Sequence, residues 1–136
     1  MHDSLQLTDG TVLEVTVHRY PVDTPTRAAL IDLLQQVFPR TDVDWLQSMR
    51  GMYADVLTTC NVVGSIAGLP AACATVAFAV DQPEVCVIED VITLPAARGR
   101  GIARVLSDYA VEIGFNAGCR VAYLGTTPRA EEHTSE

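Results

Sequence analysis

The sequence contains no lysine. All nine basic residues are arginine, and seventeen acidic residues give a formal net charge of −8. Proteins that bind nucleic acid need grouped basic side chains to neutralise phosphates, and an acidic chain is poorly suited to that task. Its charge instead favours encounters with cationic ligands such as amines. We therefore expect a small-molecule amine rather than a nucleic acid as the partner.

The chain also lacks long apolar runs: none approaches the roughly 20 residues that span a bilayer. Its first ten residues, MHDSLQLTDG, contain no basic patch followed by an apolar stretch, which is the pattern of a secretory signal. Apolar residues make up 49% of the 136 residues, enough for a hydrophobic core. The sequence predicts one domain over residues 1–136, soluble and cytoplasmic, with no membrane partner.

Cysteine is present four times, at positions 60, 73, 86 and 119, but never as a C-x-x-C pair. Each cysteine lies in apolar or strand-like surroundings. Free, buried thiols in a reducing compartment are the favoured interpretation over a disulfide or metal-binding set. We expect no metal site.

Hydrophobic periodicity predicts alternating strands and helices. A strand is expected over Thr11–Tyr20, followed by a helix that Thr24 caps and Pro39 ends. A second short helix is expected to start at Thr41 or Asp42. The later elements are strands at Val56–Cys60, Ala71–Val80 and Glu84–Leu94, a helix at Ile102–Asn116, a strand at Arg120–Gly125 and a further helix starting at Thr127-Pro128. The order β-α-α-β-β-β-α-β predicts a mixed α/β domain.

A glycine-rich loop, PAARGRG, joins the predicted strand at Glu84–Leu94 to the long helix that begins at Ile102. The first turn of a helix carries unpaired N–H groups and partial positive charge, so it can bind phosphate. Gly99 and Gly101 allow the backbone to approach an anion closely, and Arg98 and Arg100 can add charge-assisted hydrogen bonds. A pyrophosphate fits this arrangement, and a connection that binds nothing is the alternative.

Two common pyrophosphate motifs are excluded by particular residues. A P-loop needs a lysine, which the chain lacks, and a dinucleotide-binding loop needs a third glycine where this chain has Arg104. The loop Arg98-Gly99-Arg100-Gly101-Ile102-Ala103 instead resembles the R/Q-x-x-G-x-G/A signature of the GNAT superfamily of acetyl-CoA-dependent N-acetyltransferases. Two further segments, IEDV at 88–91 and IGF at 113–115 with Gly118-Cys119, resemble the glucosamine-6-phosphate N-acetyltransferase branch.

The resemblance implies a GNAT fold and acetyl-CoA as co-substrate. The backbone of Val91, Ile92 and Thr93 would pair with the pantetheine arm, as an added strand does. The backbone amides from Arg98 to Ala103 would hold the pyrophosphate, with Gly99, Arg100, Gly101 and Ile102 between them. A neutral amine would attack the thioester directly, and a backbone N–H on the same strand would stabilise the oxyanion.

A protonated amine is no nucleophile, so a base or a water chain must remove its proton. Glu89 and Asp90 precede the pantetheine-binding segment and are the candidates. Alternation along a strand places their side chains on opposite faces, so one of them faces the substrate, and we favour Glu89. Either carboxylate could instead cap a loop or pair with an arginine, and His18 is a third candidate base.

The chain departs from the family after residue 125. Family members place a helix with a thiolate-protonating Tyr there, followed by one or two strands, so this fold is expected to be shortened at that end. The acidic residue expected near Gly125 in the glucosamine-phosphate branch is absent. A homodimer is expected to cover the open edge of the last strand. Two functions remain open: an active small-molecule N-acetyltransferase, and a catalytically impaired module that binds acetyl-CoA or a partner.

Overall fold

Alternating side chains form the first long strand. In β2 (Val12–Arg19), Leu13 and Val15 are fully buried while Val12 is exposed. The computed structural model describes residues 2–38 and 43–125 and places β2 in a six-stranded sheet of order β1-β2-β3-β4-β5-β6. The other strands are β1 (His2–Gln6), β3 (Leu57–Ile66), β4 (Leu69–Ala79), β5 (Val85–Thr93) and β6 (Val121–Leu124). Neighbouring strands are antiparallel except β5 and β6, which are parallel.

Helices cover both faces of this sheet. Helix α3 (Ile102–Asn116) connects β5 to β6 and packs on one face, against a core that includes Leu13, Val62 and Leu106. Helices α1 (Thr24–Val37) and α2 (Val43–Met49) cover part of the other face, where Leu33, Leu34 and Met49 are buried. Because both faces are covered, the central strands β3 and β4 each contain six consecutive buried residues.

The predicted fold class is confirmed, with one additional strand. Strand β1 has the sequence HDSLQ and pairs with β2 from His2↔Thr16 to Gln6↔Val12. Its single apolar residue gives no alternation to detect, so the sequence did not predict it. A short polar strand suits the edge of a sheet, where apolar side chains invite unwanted pairing.

Two predicted boundaries are wrong. The strand predicted to end at Cys60 continues as β3 to Ile66 and includes Gly64, which lies against the Leu13 and Leu106 side chains. The cap of α1 is Asp23 rather than Thr24: the Asp23 carboxylate accepts a hydrogen bond from the Thr26 N–H at 2.9 Å. Two predicted helix N-termini, one at Thr41 or Asp42 and one at Thr127-Pro128, lie outside the described residues.

The remaining elements follow the prediction closely. The long helix has the predicted bounds, and β5 lies within the predicted 84–94. All four cysteines are free and buried, as expected. None of the helices in the described ranges is long and apolar enough to cross a membrane.

Helix α3 lies unusually close to the sheet at Gly114. A Cβ added there would come within 2.9 Å of the Cys86 Cβ and would also meet the Cys86 Sγ. A β5 side chain therefore occupies the space that any other residue at 114 would need. This close approach sets the distance between α3 and β5.

We predict that Gly114→Ala lowers the free energy of unfolding by about 1–2 kcal/mol. Overpacking of a core costs roughly 1–3 kcal/mol, and the better helix propensity of alanine returns at most about 1 kcal/mol. Urea unfolding measures the effect. In a Cys86→Gly background, which removes both the Cβ and the Sγ of residue 86, the same change should cost much less, and an equal cost in both backgrounds would show that Cys86 is not the obstacle.

Candidate functional site

A cleft of about 540 Å³ lies between the end of α1 and the start of α3. Eight of the predicted cofactor residues line it: Val91, Ile92, Thr93, Arg98, Gly99, Gly101, Ile102 and Ala103. Four further residues, which the sequence analysis did not select, complete the lining: Val37, Phe38, Ala97 and Arg104. The fold thus brings the glycine loop and the end of β5 into one cavity.

The loop backbone leaves open space on the side of the glycines. Gly99 and Gly101 have φ of +82° and +78°, and a Cβ at either position would meet nothing within 4 Å. Gly101 is the N-cap of α3 and has no side chain with which to cap it. The first N–H groups of a helix need an acceptor, so this terminus offers donors and positive potential to an anion.

The two loop arginines are used differently. The Arg98 Nε donates to the Thr93 carbonyl at 3.0 Å, which ties the loop to the end of β5. Arg100 turns toward the β1–β2 turn, with its Nε 3.5 Å from the Asp9 carboxylate and its Nη1 3.4 Å from the Thr11 hydroxyl. Arg100 is not among the residues that line the cleft. Its partners lie about ninety positions earlier, so local sequence could not reveal them.

The strands β5 and β6 separate beside the cleft. Their pairing runs from Val85↔Val121 to Ile88↔Leu124, and the last bond is from the Gly125 N–H to the Ile88 carbonyl at 2.7 Å. No described residue pairs with β5 on that side from Glu89 onward. In the part of the chain that the structure describes, the backbone edge of β5 is thus unpaired where the predicted pantetheine-binding segment begins.

A bulge interrupts β5 at the same point. Thr75 pairs with Glu89 and Cys73 with Ile92, so three steps on β5 match two on β4. Asp90 takes up the extra residue with φ +51°, a conformation that is strained for a residue with a Cβ. Its carbonyl accepts a hydrogen bond from the Cys73 thiol at 3.5 Å.

The bulge changes the expectation for the two candidate bases. Regular alternation would place Glu89 and Asp90 on opposite faces, but alternation does not hold across a bulge. The charge of Asp90 acts on Tyr20 and Cys73, both on the face that α1 covers in part. Glu89 is the cross-strand partner of Thr75 and lies at the surface. Partial loss of hydration raises the pKa of its carboxyl group.

Four polar residues on this face are consecutive cross-strand partners. His18 pairs with Asn61, Asn61 with Thr75, and Thr75 with Glu89, so the row crosses β2, β3, β4 and β5. The Asn61 Nδ2 donates to the Thr75 Oγ1 at 2.9 Å. Burial lowers the pKa of His18 and thereby keeps it neutral over more of the pH range. Asn61 and Thr75 were not predicted, although a polar residue within an otherwise apolar strand is a signal that the sequence contains.

Burial also decides the chemistry of the thiol beside this row. It raises the pKa of Cys73 to about 12, with a smaller contribution from the Asp90 charge, so the thiol stays protonated at neutral pH. Tyr123, on β6, is exposed. Among the described residues, no group of three or more His, Cys, Asp or Glu side chains is placed to hold a metal ion.

An uncapped helix terminus, a glycine loop and an open, bulged strand edge thus meet at one cleft. Residues 27–133 match the family model described as the acetyltransferase (GNAT) family. The match spans most of the chain, and the protein therefore belongs to the GNAT acetyltransferase family. Comparison with curated proteins gives no significant match.

Solved structures share the fold. The GNAT domain of S. lividans PAT superposes with a TM-score of 0.71 at 15% identity, over 98% of this chain and 83% of that one. The enzyme AAC(6')-Iy, in complex with the bisubstrate analogue CoA-S-monomethyl-acetylneamine, gives 0.65 at 21% identity, over 89% and 85%. An aminoglycoside acetyltransferase from an uncultured soil metagenomic sample, in complex with sisomicin, gives 0.62 at 14%, over 89% and 83%. At these identities the likeness concerns the fold alone.

Proposed function

We propose that this protein is an N-acetyltransferase that moves the acetyl group of acetyl-CoA to a primary amine of a small molecule by direct attack. The observation that carries the proposal is the single cleft that joins an anion-binding helix terminus to an open strand edge. A long ligand with a pyrophosphate at one end and an amide-containing arm at the other matches these two features. Acetyl-CoA has that form and supplies the thioester.

The residues present fit this co-substrate. The amides from Arg98 to Ala103 and the open space over Gly99 and Gly101 would hold the pyrophosphate, with Ile102 starting the helix below. The backbone of Val91 and Ile92 would pair with the pantetheine arm, whereas the Thr93 carbonyl is already engaged by Arg98. A backbone N–H of β5 near the bulge would stabilise the developing oxyanion.

Glu89 and Asp90 are the proposed catalytic carboxylates, with Glu89 as the base. Glu89 lies where β5 leaves β6, and its raised pKa moves the carboxyl toward the range where a general base works best at neutral pH. Asp90 lies one residue further and is held by the bulge. The amine reaches the site as an ammonium ion, and Glu89 would accept the proton that it must lose before attack.

The substrate class follows from charge and from the neighbours. The net charge of −8 favours cationic amines, and structural neighbours include complexes with sisomicin and with an acetylneamine analogue. We therefore place this protein among small-molecule amine acetyltransferases. Its four buried, free thiols favour a reducing, cytoplasmic setting.

A substitution at Gly101 tests the role of the glycine loop. Gly101→Asp should abolish acetyl-CoA binding, because it places a Cβ and a negative charge where the phosphates would lie. Isothermal calorimetry measures the affinity. Gly68→Asp is the matched control: Gly68 has φ +80° and equally open surroundings, but it lies in the β3–β4 turn. Both variants carry the same backbone strain, so an equal loss of affinity in both, or none in Gly101→Asp, would contradict the assignment.

A substitution at Glu89 tests the proposed base. Glu89→Gln should lower kcat/KM by roughly 10²–10⁴-fold and leave acetyl-CoA affinity unchanged. In the wild type the rate should fall as the pH drops through the raised pKa of Glu89, because only the carboxylate accepts a proton. The variant lacks this carboxyl and should lose that step of the pH profile. Steady-state release of CoA thiol across pH measures both.

Two controls sharpen this test. Glu84→Gln makes the same change just before β5, on an exposed side chain far from the bulge, and should have little effect. Asp90→Asn tests the neighbouring carboxylate. A loss below threefold for Glu89→Gln beside a large loss for Asp90→Asn would assign the base to Asp90. Binding of acetyl-CoA without turnover of any amine would instead support the impaired, ligand-binding module.

We also propose a homodimer that covers β6. In the described part of the sheet β6 is an edge strand, and Val121, Tyr123 and Leu124 are all exposed on it. Exposed apolar edges are normally paired or covered, and a second copy of the chain covers this one most simply. Sedimentation at micromolar concentration should show a dimer, and Leu124→Arg should dissociate it. A stable monomer with full turnover would overturn the proposal.

A further inference from the structure

The turn between β1 and β2 reaches the glycine loop. The Arg100 Nε lies 3.5 Å from the Asp9 Oδ2, and the Arg100 Nη1 donates to the Thr11 Oγ1 at 3.4 Å. One guanidinium group thus contacts two residues of a turn that comes far earlier in the chain. The side chains of Arg100 and Asp9 are 34% and 45% exposed, so the contact lies at the surface beside the loop.

Bonds within the turn hold both partners of Arg100. Leu7 is buried at the base of the turn, and its N–H donates to the Thr11 carbonyl at 2.8 Å. The Gly10 N–H donates to the Leu7 carbonyl at 2.9 Å. The Thr11 N–H donates to the Asp9 Oδ1 at 2.9 Å, which leaves the Oδ2 to face Arg100. The bonds from Thr11, with a smaller contribution from the Arg100 charge, lower the pKa of Asp9 and keep its carboxylate charged at neutral pH.

The glycine loop needs such an anchor. Arg100 lies between Gly99 and Gly101, and a Cβ at either glycine would meet no described atom within 4 Å. Glycine loses more backbone freedom on ordering than any other residue, and a loop that is already ordered loses less when its ligand binds. The bond from Arg98 to the Thr93 carbonyl anchors the loop before Gly99. The contacts of Arg100 anchor it between the two glycines.

Two roles are open to the Arg100 side chain. It could bind the pyrophosphate directly, but it would then have to leave Asp9 and Thr11, and it is not among the residues that line the cleft. We propose that Asp9 and Thr11 are positioning residues for the co-substrate: through Arg100 they hold the glycine loop in the conformation that receives the pyrophosphate. This inference deepens the proposed acetyl transfer and rests on it for the identity of the ligand.

The two roles predict opposite effects of Asp9→Asn on CoA binding. Asparagine keeps an oxygen for the Thr11 N–H but removes the charge that faces Arg100. If Arg100 binds the phosphates, the change frees Arg100 and removes a negative charge near an anion, so CoA should bind more tightly. If Arg100 positions the loop, CoA should bind about two- to fivefold more weakly, since partly exposed ion pairs contribute factors of this size. Isothermal calorimetry with CoA at low ionic strength measures the sign.

Glu14→Gln is the matched control. Glu14 lies on the same hairpin, is 49% exposed and forms an ion pair with His2 at 3.0 Å, but this pair does not involve the glycine loop. The variant should leave CoA affinity unchanged, and a loss equal to that of Asp9→Asn would overturn the proposal. Thr11→Val removes the other partner of Arg100 and should weaken CoA binding as Asp9→Asn does. Exposed ion pairs contribute little to the free energy of unfolding, so these variants should fold, and urea unfolding verifies it.

Two further readouts separate positioning from general damage. Asp9→Asn combined with Arg100→Gln should bind CoA no more weakly than Arg100→Gln alone, because Asp9 acts through Arg100, and additive losses would contradict this. In steady-state assays Asp9→Asn should raise the KM for acetyl-CoA and leave kcat unchanged. The KM for S-acetylpantetheine, which lacks the pyrophosphate, should stay the same. An equal rise in KM for both thioesters would refute a role specific to the glycine loop.

The outcomes separate this inference from the proposed function. Wild-type CoA binding that Asp9→Asn leaves unchanged or strengthens would refute the positioning role and keep the proposed function. CoA binding that Asp9→Asn weakens, without turnover of any amine by the wild type, would support the positioning role and refute acetyl transfer. A wild-type protein that does not bind CoA would refute both.

Discussion

The separation of β5 from β6 at Ile88 is the constraint on which the site depends. Among the described residues, parallel pairing of the two strands ends there with the Gly125–Ile88 bond, and the bulge at Asp90 follows two residues later. A regular pair of strands would satisfy every backbone group and leave no edge for a ligand. Because the pairing with β6 stops among the described residues, the segment that follows pairs with β4 at Glu89, Ile92 and Thr93 and has no described partner on its other side.

Helix α3 places the second half of the cleft. It must return the chain from the end of β5 to the start of β6, and Gly114 and Gly64 let it lie close to the sheet. Its uncapped N-terminus therefore lines the same cleft as the end of β5. The bonds of Arg98 to Thr93 and of Arg100 to Asp9 and Thr11 hold the loop between them. These bonds thus fix the position of the proposed anion site relative to the edge of β5.

The face of the sheet that α1 and α2 cover in part contains buried polar residues. The Asn61 Nδ2 donates to the Thr75 Oγ1 across β3 and β4, and the Asn61 Oδ1 has no hydrogen-bond partner among the described residues. The row continues to Glu89 at the open edge, so the proposed base is adjacent to a hydrogen-bonding network rather than to an apolar wall.

The sequence by itself determined the fold class, the family, the bounds of α3 and eight of the cleft residues. These depend on local signals: apolar periodicity, and glycines at positive φ before a helix. Only the tertiary structure decided the rest. Strand β1 exists because β2 offers it an edge, Arg100 turns to a residue ninety positions away, and the bulge at Asp90 removes the alternation that would separate the two carboxylates. Each of these results from pairing between distant segments, which no local pattern of residues encodes.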